Sequence, residues 1–295
     1  MLVALSIPVL NLNLGSSDSG ELPKDTTARQ AYDLIAKGFG AGANGPLLIG
    51  VDLGSKAKPD QKQLNQINDK QAQQQQQIAA QEQQLIAEGV PQAQAEQQVQ
   101  QQTASSTQQL AQQKKLAESP ATDTRLTSLE DAIKKDPGIK SVSQATVDPK
   151  GTVAVFTAVA KTAPSSPDTV DTVNRLRDSV VPDATKGTDL TVFAGGQTAG
   201  YIDLAARISD KLPQMILIVV GLSFVVLLMA FRSVLLPLKA AAANLLSVGA
   251  AYGVVTFVFQ EGHGAELIGL DGSVPIASYV PLLMFAILFG LSMDY

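Results

Sequence analysis

The chain has 295 residues, with 22 Lys+Arg against 27 Asp+Glu, a net charge of −5, no Cys, no Trp and one His. The lack of Cys excludes a disulfide scaffold, a thiolate metal site and a Cys nucleophile, and a lone His263 excludes a multi-His metal cage. A mildly acidic chain without basic runs has no nucleic-acid footprint, so no nucleic-acid partner is expected.

Residues 1–9, MLVALSIPV, are too short to span a bilayer and lack the basic leading region of a signal peptide. They read as the end of a truncated transmembrane helix. Leu14 to Lys24 is rich in Gly, Ser and Pro and reads as extended. Asp25 to Gly38 reads as a helix: Asp25 or Thr26 can cap it, Ala31, Leu34 and Ile35 form an apolar stripe, and Gly38 stops it. GPLLIGVDL, residues 45–53, is an apolar run bounded by turn residues, a buried strand.

Residues 59–118 are mostly Gln and Ala, both good helix formers, with a turn at Glu88-Gly89-Val90-Pro91. Two arms of roughly 28 residues predict an antiparallel helical hairpin about 42 Å long. Leu64, Ile67, Gln71, Gln74, Ile78 and Leu85 mark its seam on the first arm, and Val99 and Leu110 on the second. Thr124 to Lys135 reads as a helix with Leu126, Leu129 and Ile133 on one face. Ile139 to Val147 and Thr152 to Ala160 read as a β-hairpin turning at Asp148-Pro149-Lys150-Gly151. Pro167 to Val181 is an amphipathic helix with Val170, Val173, Leu176 and Val180 inward, and Leu190 to Phe193 is a last strand. With the Gln-rich piece set aside, the order is β-α-β-β-α-β, the ferredoxin-like arrangement.

Leu212 to Phe231 is about 20 residues without a charge, enough for roughly 30 Å of helix and a bilayer crossing. Residues 234–259 and 275–295 are further apolar stretches. Arg232 in the tight FRS turn, with Lys239 behind it, faces a loop across the span, Gln260 to Val274, that holds Glu261, Glu266 and Asp271 and no Lys or Arg. The positive-inside rule makes the FRS turn cytoplasmic and residues 10–211 extracytoplasmic. A multi-pass protein of the cell membrane, in contact with membrane lipids, is expected.

GAGANG (40–45) and AGGQTAG (194–200) lack the P-loop ending and the full GxGxxG spacing, so both read as backbone turns. His263 and Glu261 read as a solvated loop, Arg232 as a topology anchor, and Asp203 as a cap or local ion-pair partner. Asp294 is the one carboxylate in the last stretch. Counted from Pro281 it falls about 20 Å along an ideal helix, while counted from Pro275 it reaches the far interface. The residues alone leave both readings open.

Four segments resemble the MmpL-type transporters of the resistance-nodulation-division (RND) superfamily. They are ELPKDTTARQAYDLIAKGFGAGANGPLLIGVDL (21–53), FAGGQTAGYIDLAARISDKLP (193–213), FRSVLLPLKAA (231–241) and FGLSMDY (289–295). The likeness covers nearly the whole chain except 59–118, and the GLSMDY form is similar to the second repeat of such proteins. It implies an α+β membrane protein. Residues 10–58 and 119–211 would be a ferredoxin-like extracytoplasmic porter domain, 59–118 an inserted helical hairpin, and 212–231, 234–259 and 275–295 transmembrane helices, the last truncated. It implies export of lipids or other hydrophobic compounds, driven by the proton gradient, in a fragment that is not an enzyme and needs no metal or cofactor. Asp294 and Tyr295 would form the proton relay, with Gly290 and Ser292 as helix-packing support. The expected partners are the remainder of the transporter with its other repeat, a lipid or hydrophobic cargo, and an envelope partner for the hairpin; a homotrimer is a candidate assembly. The alternative is a membrane-anchored structural or adaptor protein whose Gln-rich coiled coil binds an envelope partner.

Overall fold

The computed structural model describes residues 1–12, 14–15, 17–264 and 273–293, with side chains through Leu291. In chain order it forms α1 (Leu2–Ser6), β1 (Leu14–Gly15), α2 (Thr27–Phe39), β2 (Leu47–Asp52), α3 (Gln61–Ala87) and α4 (Gln92–Ala117). Then come α5 (Thr124–Lys134), β3 (Ile139–Val142), β4 (Thr146–Val147), β5 (Val153–Ala160), α6 (Pro167–Arg175) and α7 (Val181–Thr185). The last elements are β6 (Thr191–Gly195), α8 (Gln197–Phe231), α9 (Leu235–Val255), β7 (Ile276–Ala277) and α10 (Tyr279–Met293). The chain divides into two compact units, residues 1–47, 159–174 and 194–295 in one and 48–158 and 175–193 in the other.

The second unit carries the sheet, with strands in the order β3-β5-β2-β6 and β4 antiparallel to β5. Leu126, Leu129 and Ile133 of α5 are fully buried, as are Ile49, Val51, Phe156 and Leu176. Each such side chain removed from water contributes roughly 1.5–3 kcal/mol. β2 alternates rather than being buried throughout: Ile49 and Val51 face the core while Leu48 is exposed, because only one face of this sheet is covered.

α3 and α4 pack on one another, and the expected seam residues are the less exposed ones. Ile67, Ala95 and Val99 are buried. The rest of the seam is polar: Gln74 donates to Ser106 Oγ at 2.7 Å, and Lys114 reaches Gln71 Oε1 at 3.5 Å. These pairings run the two helices antiparallel.

At the foot of this pair Arg125 ties three segments together. Its guanidinium donates to both Asp123 oxygens at 3.0 and 2.8 Å, to Asp189 Oδ1 at 2.6 Å, and to the Leu53 carbonyl at 3.0 Å. Burial alone would raise the Asp123 carboxyl, but hydrogen bonds from Arg125 and from the Lys58 N–H outweigh it and hold it below the usual range. Removing one partner of such a pair leaves a desolvated charge behind. Arg125→Ala should therefore destabilise this unit by about 3 kcal/mol, read as a lowered denaturation midpoint, with Asp123→Asn in the same background recovering part of the loss.

In the first unit α8 is one continuous helix of 35 residues, roughly 52 Å long, where a 20-residue span was expected to begin at Leu212. Hydropathy marks only its apolar half; the preceding turns carry Asp203, Arg207, Asp210 and Lys211 and continue the same helix through Pro213. None of its apolar half is buried, with Leu217, Leu222 and Met229 all more than 60 % exposed. A soluble core helix would cover these side chains; a lipid-facing one leaves them bare. α8 and α9 are both long and apolar enough to cross a membrane, whereas Leu2–Asn11 and Tyr279–Leu291 are shorter apolar helices.

α1, α8 and α10 all pack on α9. Val248 and Tyr252 of α9 join Phe285 and Phe289 of α10 in a buried cluster flanked by Val9, Ile216 and Leu288. The Tyr252 hydroxyl donates to the Pro281 carbonyl. α1 crosses α9 at two glycines a turn apart: a Cβ at Gly253 would collide with the Leu5 carbonyl, and one at Gly249 would lie 3.1 Å from Ser6 Oγ. The α8–α9 turn is closed by Arg232 in the left-handed region (φ 47°), whose N–H donates to the Leu228 carbonyl at 2.9 Å.

The stripe expected on α2 is not covered. Leu34 and Phe39 are 72 % and 71 % exposed and no residue of the helix is fully buried. The periodicity makes an apolar face but does not supply a surface to bury it against.

Candidate functional site

The expected relay, Asp294 and Tyr295, lies outside the described residues, as does the side chain of Ser292. Gly290 sits on an exposed face of α10, and among the described residues nothing comes within 4 Å of a Cβ placed there. His263 stacks on Phe257 with ring centroids 4.2 Å apart and its Nδ1 lies 3.7 Å from Glu261 Oε2. Glu261 also accepts from Asn11 Nδ2 at 3.2 Å, so this pair belongs to a local loop contact. Gly40 and Gly196 occupy positive-φ positions at the two glycine-rich segments, which act as backbone turns. Asp203 is exposed on α8. Among the described residues no group of three or more His, Cys, Asp or Glu could hold a metal ion.

A different site emerges where the leading segment meets α2, all within the first unit. Asp18 caps a single 3₁₀ turn, Ser19–Glu21, by accepting from the Gly20 N–H at 2.8 Å. Its second oxygen accepts from the Tyr32 hydroxyl at 3.1 Å. Thr26 caps α2 and Asn44 Nδ2 donates to the Tyr32 backbone carbonyl at 3.2 Å, which fixes the helix that carries the ring. Glu21 falls beside this pair. Both its carboxylate oxygens are shut off from solvent and have no hydrogen-bond partner among the described residues. Burial, reinforced by the Asp18 charge, pushes its carboxyl up to about 7. The Asp18 N–H faces it and offsets the rise, at a geometry too loose for a hydrogen bond. Burial and the same Asp18 charge also raise the Tyr32 phenol.

These groups wall a cavity of about 740 Å³ whose lining includes Leu22, Ile35 and Tyr201. A second cavity of about 650 Å³ shares Asp18, Glu21, Tyr32 and Val274 and adds Asp171. The sequence reading missed this site. Its acids stand in a segment read only as extended, and the partners Tyr32 and Tyr201 come from two separate helices. The one local signal was Asp18 two residues before a glycine.

Glu21 binds its proton more tightly folded (about 7) than at its ordinary 4.5, so it favours the folded state below pH 4.5 and that contribution is lost as pH rises through about 7. Glu21→Gln should remove this dependence. With allowance for solvent screening, the variant should be about 1–2 kcal/mol more stable than wild type at pH 8 and equal to it at pH 4. Thermal melts across that range check both ends.

The MMPL family model matches residues 63–295, well over half of the chain. The chain belongs to the MMPL family. Membrane protein YdfJ of Bacillus subtilis is similar at 30 % identity over 298 residues, covering 100 % of this chain and 32 % of that protein. The mycolic acid-containing lipids exporter MmpL11 of Mycolicibacterium smegmatis is 33 % identical over 179 residues, 61 % of this chain and 18 % of the relative. The trehalose monomycolate exporter MmpL3 of the same organism is 38 % identical over 106 residues, 36 % of this chain and 10 % of the relative. The chain therefore spans about a third or less of the length of these MMPL relatives. The likeness was expected to skip residues 59–118, but the YdfJ alignment covers the whole chain and so includes that Gln-rich segment.

Proposed function

We propose that the chain is part of a proton-driven membrane transporter that exports lipids or related hydrophobic compounds. What carries this reading is the family match together with two relatives, MmpL11 and MmpL3, named as exporters of mycolic acid-containing lipids and of trehalose monomycolate. The proposed proton carrier is Asp294, with Tyr295 as its hydrogen-bond partner. Gly290 and Ser292 would let a neighbouring helix come close, and the bare face at Gly290 supports that use.

The extracytoplasmic part, in this reading, is a ferredoxin-like porter domain. Two features support it: the chain order β2-α5-β3-β5-α6-β6, and the sheet order in which β2 lies between β5 and β6. The α3–α4 pair is an insert in it that extends away from the membrane towards an envelope partner. Arg232 and Lys239 favour a cytoplasmic α8–α9 turn. α8 continues from its polar turns through Pro213 into its apolar half, so a single helix links the outer end to the membrane end and the proline is its one built-in weak point.

The test is a comparison of surface lipids from cells with and without the full-length protein, by mass spectrometry of the outer envelope fraction. Export predicts that one lipid class disappears from that fraction and accumulates inside. An unchanged lipid profile, with only envelope contacts of the hairpin lost, would favour an adaptor instead.

A further inference from the structure

The cavity walled by Asp18, Glu21 and Tyr32 has a chemistry that lipid export does not account for. Its volume of about 740 Å³ lies within the range of small-molecule sites. Its lining is of two kinds. Leu22, Ala31, Ile35, Pro164 and Val274 supply apolar wall, and Tyr32 and Tyr201 supply aromatic rings. Asp18 and Glu21 supply two carboxyl groups, and neither this cavity nor its neighbour is lined by any Lys, Arg or His among the described residues. The nearby cation, Arg29, is occupied: it pairs with Asp33 at 2.9 Å and donates to the Leu22 carbonyl at 3.1 Å. Asp18 is satisfied by the Gly20 N–H and the Tyr32 hydroxyl, but the Glu21 carboxylate is closed off from water with no partner among the described residues. A buried carboxylate without a partner is costly, and an opposite charge brought beside it removes that cost.

We propose that this cavity is a binding site for an organic cation with an apolar body, its charge set against Glu21 and Asp18 and its hydrocarbon or aromatic part against Leu22, Ile35 and Tyr201. Tyrosine faces favour such a cation over a hydrated inorganic one, since a ring quadrupole attracts a weakly solvated positive charge. An anionic or zwitterionic lipid headgroup would bring negative charge to two carboxylates and is disfavoured by the same wall. Thr198 and Tyr201 lie on α8, so a bound cation touches the helix that continues into the apolar span. The site stands independently of the exporter reading, because it rests on the cavity and its charges alone.

Glu21 must be ionised to hold the cation, so binding strengthens as pH rises through about 7 and releases a proton below that point. Burial keeps the Tyr32 phenol raised, so Tyr32 stays a neutral donor in this range.

The test is equilibrium dialysis of the full chain in detergent micelles against tetraphenylphosphonium, with tetraphenylborate as a probe of the same shape and opposite charge. The expected result is saturable one-site binding of the phosphonium, at least fivefold tighter at pH 8 than at pH 6, and no saturable binding of the borate. Glu21→Gln should weaken phosphonium binding at least tenfold while melting no lower than wild type. Ile35→Arg, which sets a guanidinium at the lip from a solvent-exposed position, should weaken it to a similar degree without touching the acids. Equal binding of the two probes, no saturable phosphonium binding, or wild-type affinity in both variants would each overturn the proposal.

Discussion

In the full-length protein, Asp294→Asn is expected to abolish transport while leaving membrane insertion and abundance unchanged. The substitution keeps the shape and much of the hydrogen-bonding capacity of the side chain but cannot bind and release a proton. An aspartate within an apolar span costs roughly 2.5–3.5 kcal/mol on insertion scales, so the amide variant should insert at least as well as the acid. Each proton moving down 100 mV supplies about 2.3 kcal/mol, and without a titratable group none of that reaches the protein. Tyr295→Phe should give a milder loss, because a phenol that donates to the carboxylate tunes the proton affinity without carrying the proton. Wild-type transport in Asp294→Asn would remove Asp294 from the mechanism.

Gly253→Leu is expected to separate α1 from α9. The Leu5 carbonyl occupies the space a Cβ would need, and backbone cannot yield as a side-chain tip can. Overpacking of this kind costs about 1–3 kcal/mol in a yielding core and more where two helix backbones touch. In lipid the loss is also one of dispersion contact between small-residue faces, which is what holds such helices together. The chain has no Cys, which gives a clean assay. A Cβ at Gly249 would lie 3.5 Å from the Ser6 Cβ, within disulfide range, so Ser6→Cys with Gly249→Cys should cross-link on mild oxidation. Adding Gly253→Leu should suppress that cross-link by at least tenfold. Undiminished cross-linking would mean that α1 does not depend on this crossing.

Local periodicity made much of the fold legible. Leu126, Leu129 and Ile133 were placed on one face of a helix by their spacing alone, and all three are fully buried. The Gln/Ala arms were legible because helix propensity runs unbroken for more than six turns on either side of Gly89. Elements whose environment is tertiary were not legible. Leu34 stood in a good apolar stripe yet is exposed, since a pattern cannot report what lies opposite it. That the helix holding residues 212–231 already begins at Gln197 was not legible, because hydropathy sees the apolar half and not the polar turns that share its backbone. The acidic cavity was invisible for a further reason. Asp18 and Glu21 are unremarkable in a polar segment, and only the approach of α2 and α8 closes them off. The family, by contrast, was legible in four segments, because a likeness between strings needs no knowledge of contacts.

The proposed coupling of export to proton movement can be read in a single reconstitution. The full-length protein is reconstituted in vesicles carrying a fluorescent long-chain lipid, a pH gradient is imposed with the outer-domain side acidic, and lipid transfer and internal pH are followed together. Under proton coupling, transfer starts with the gradient and is accompanied by internal acidification. Both stop when a protonophore collapses the gradient, and Asp294→Asn shows neither. Lipid transfer at the same rate with and without the gradient would contradict it.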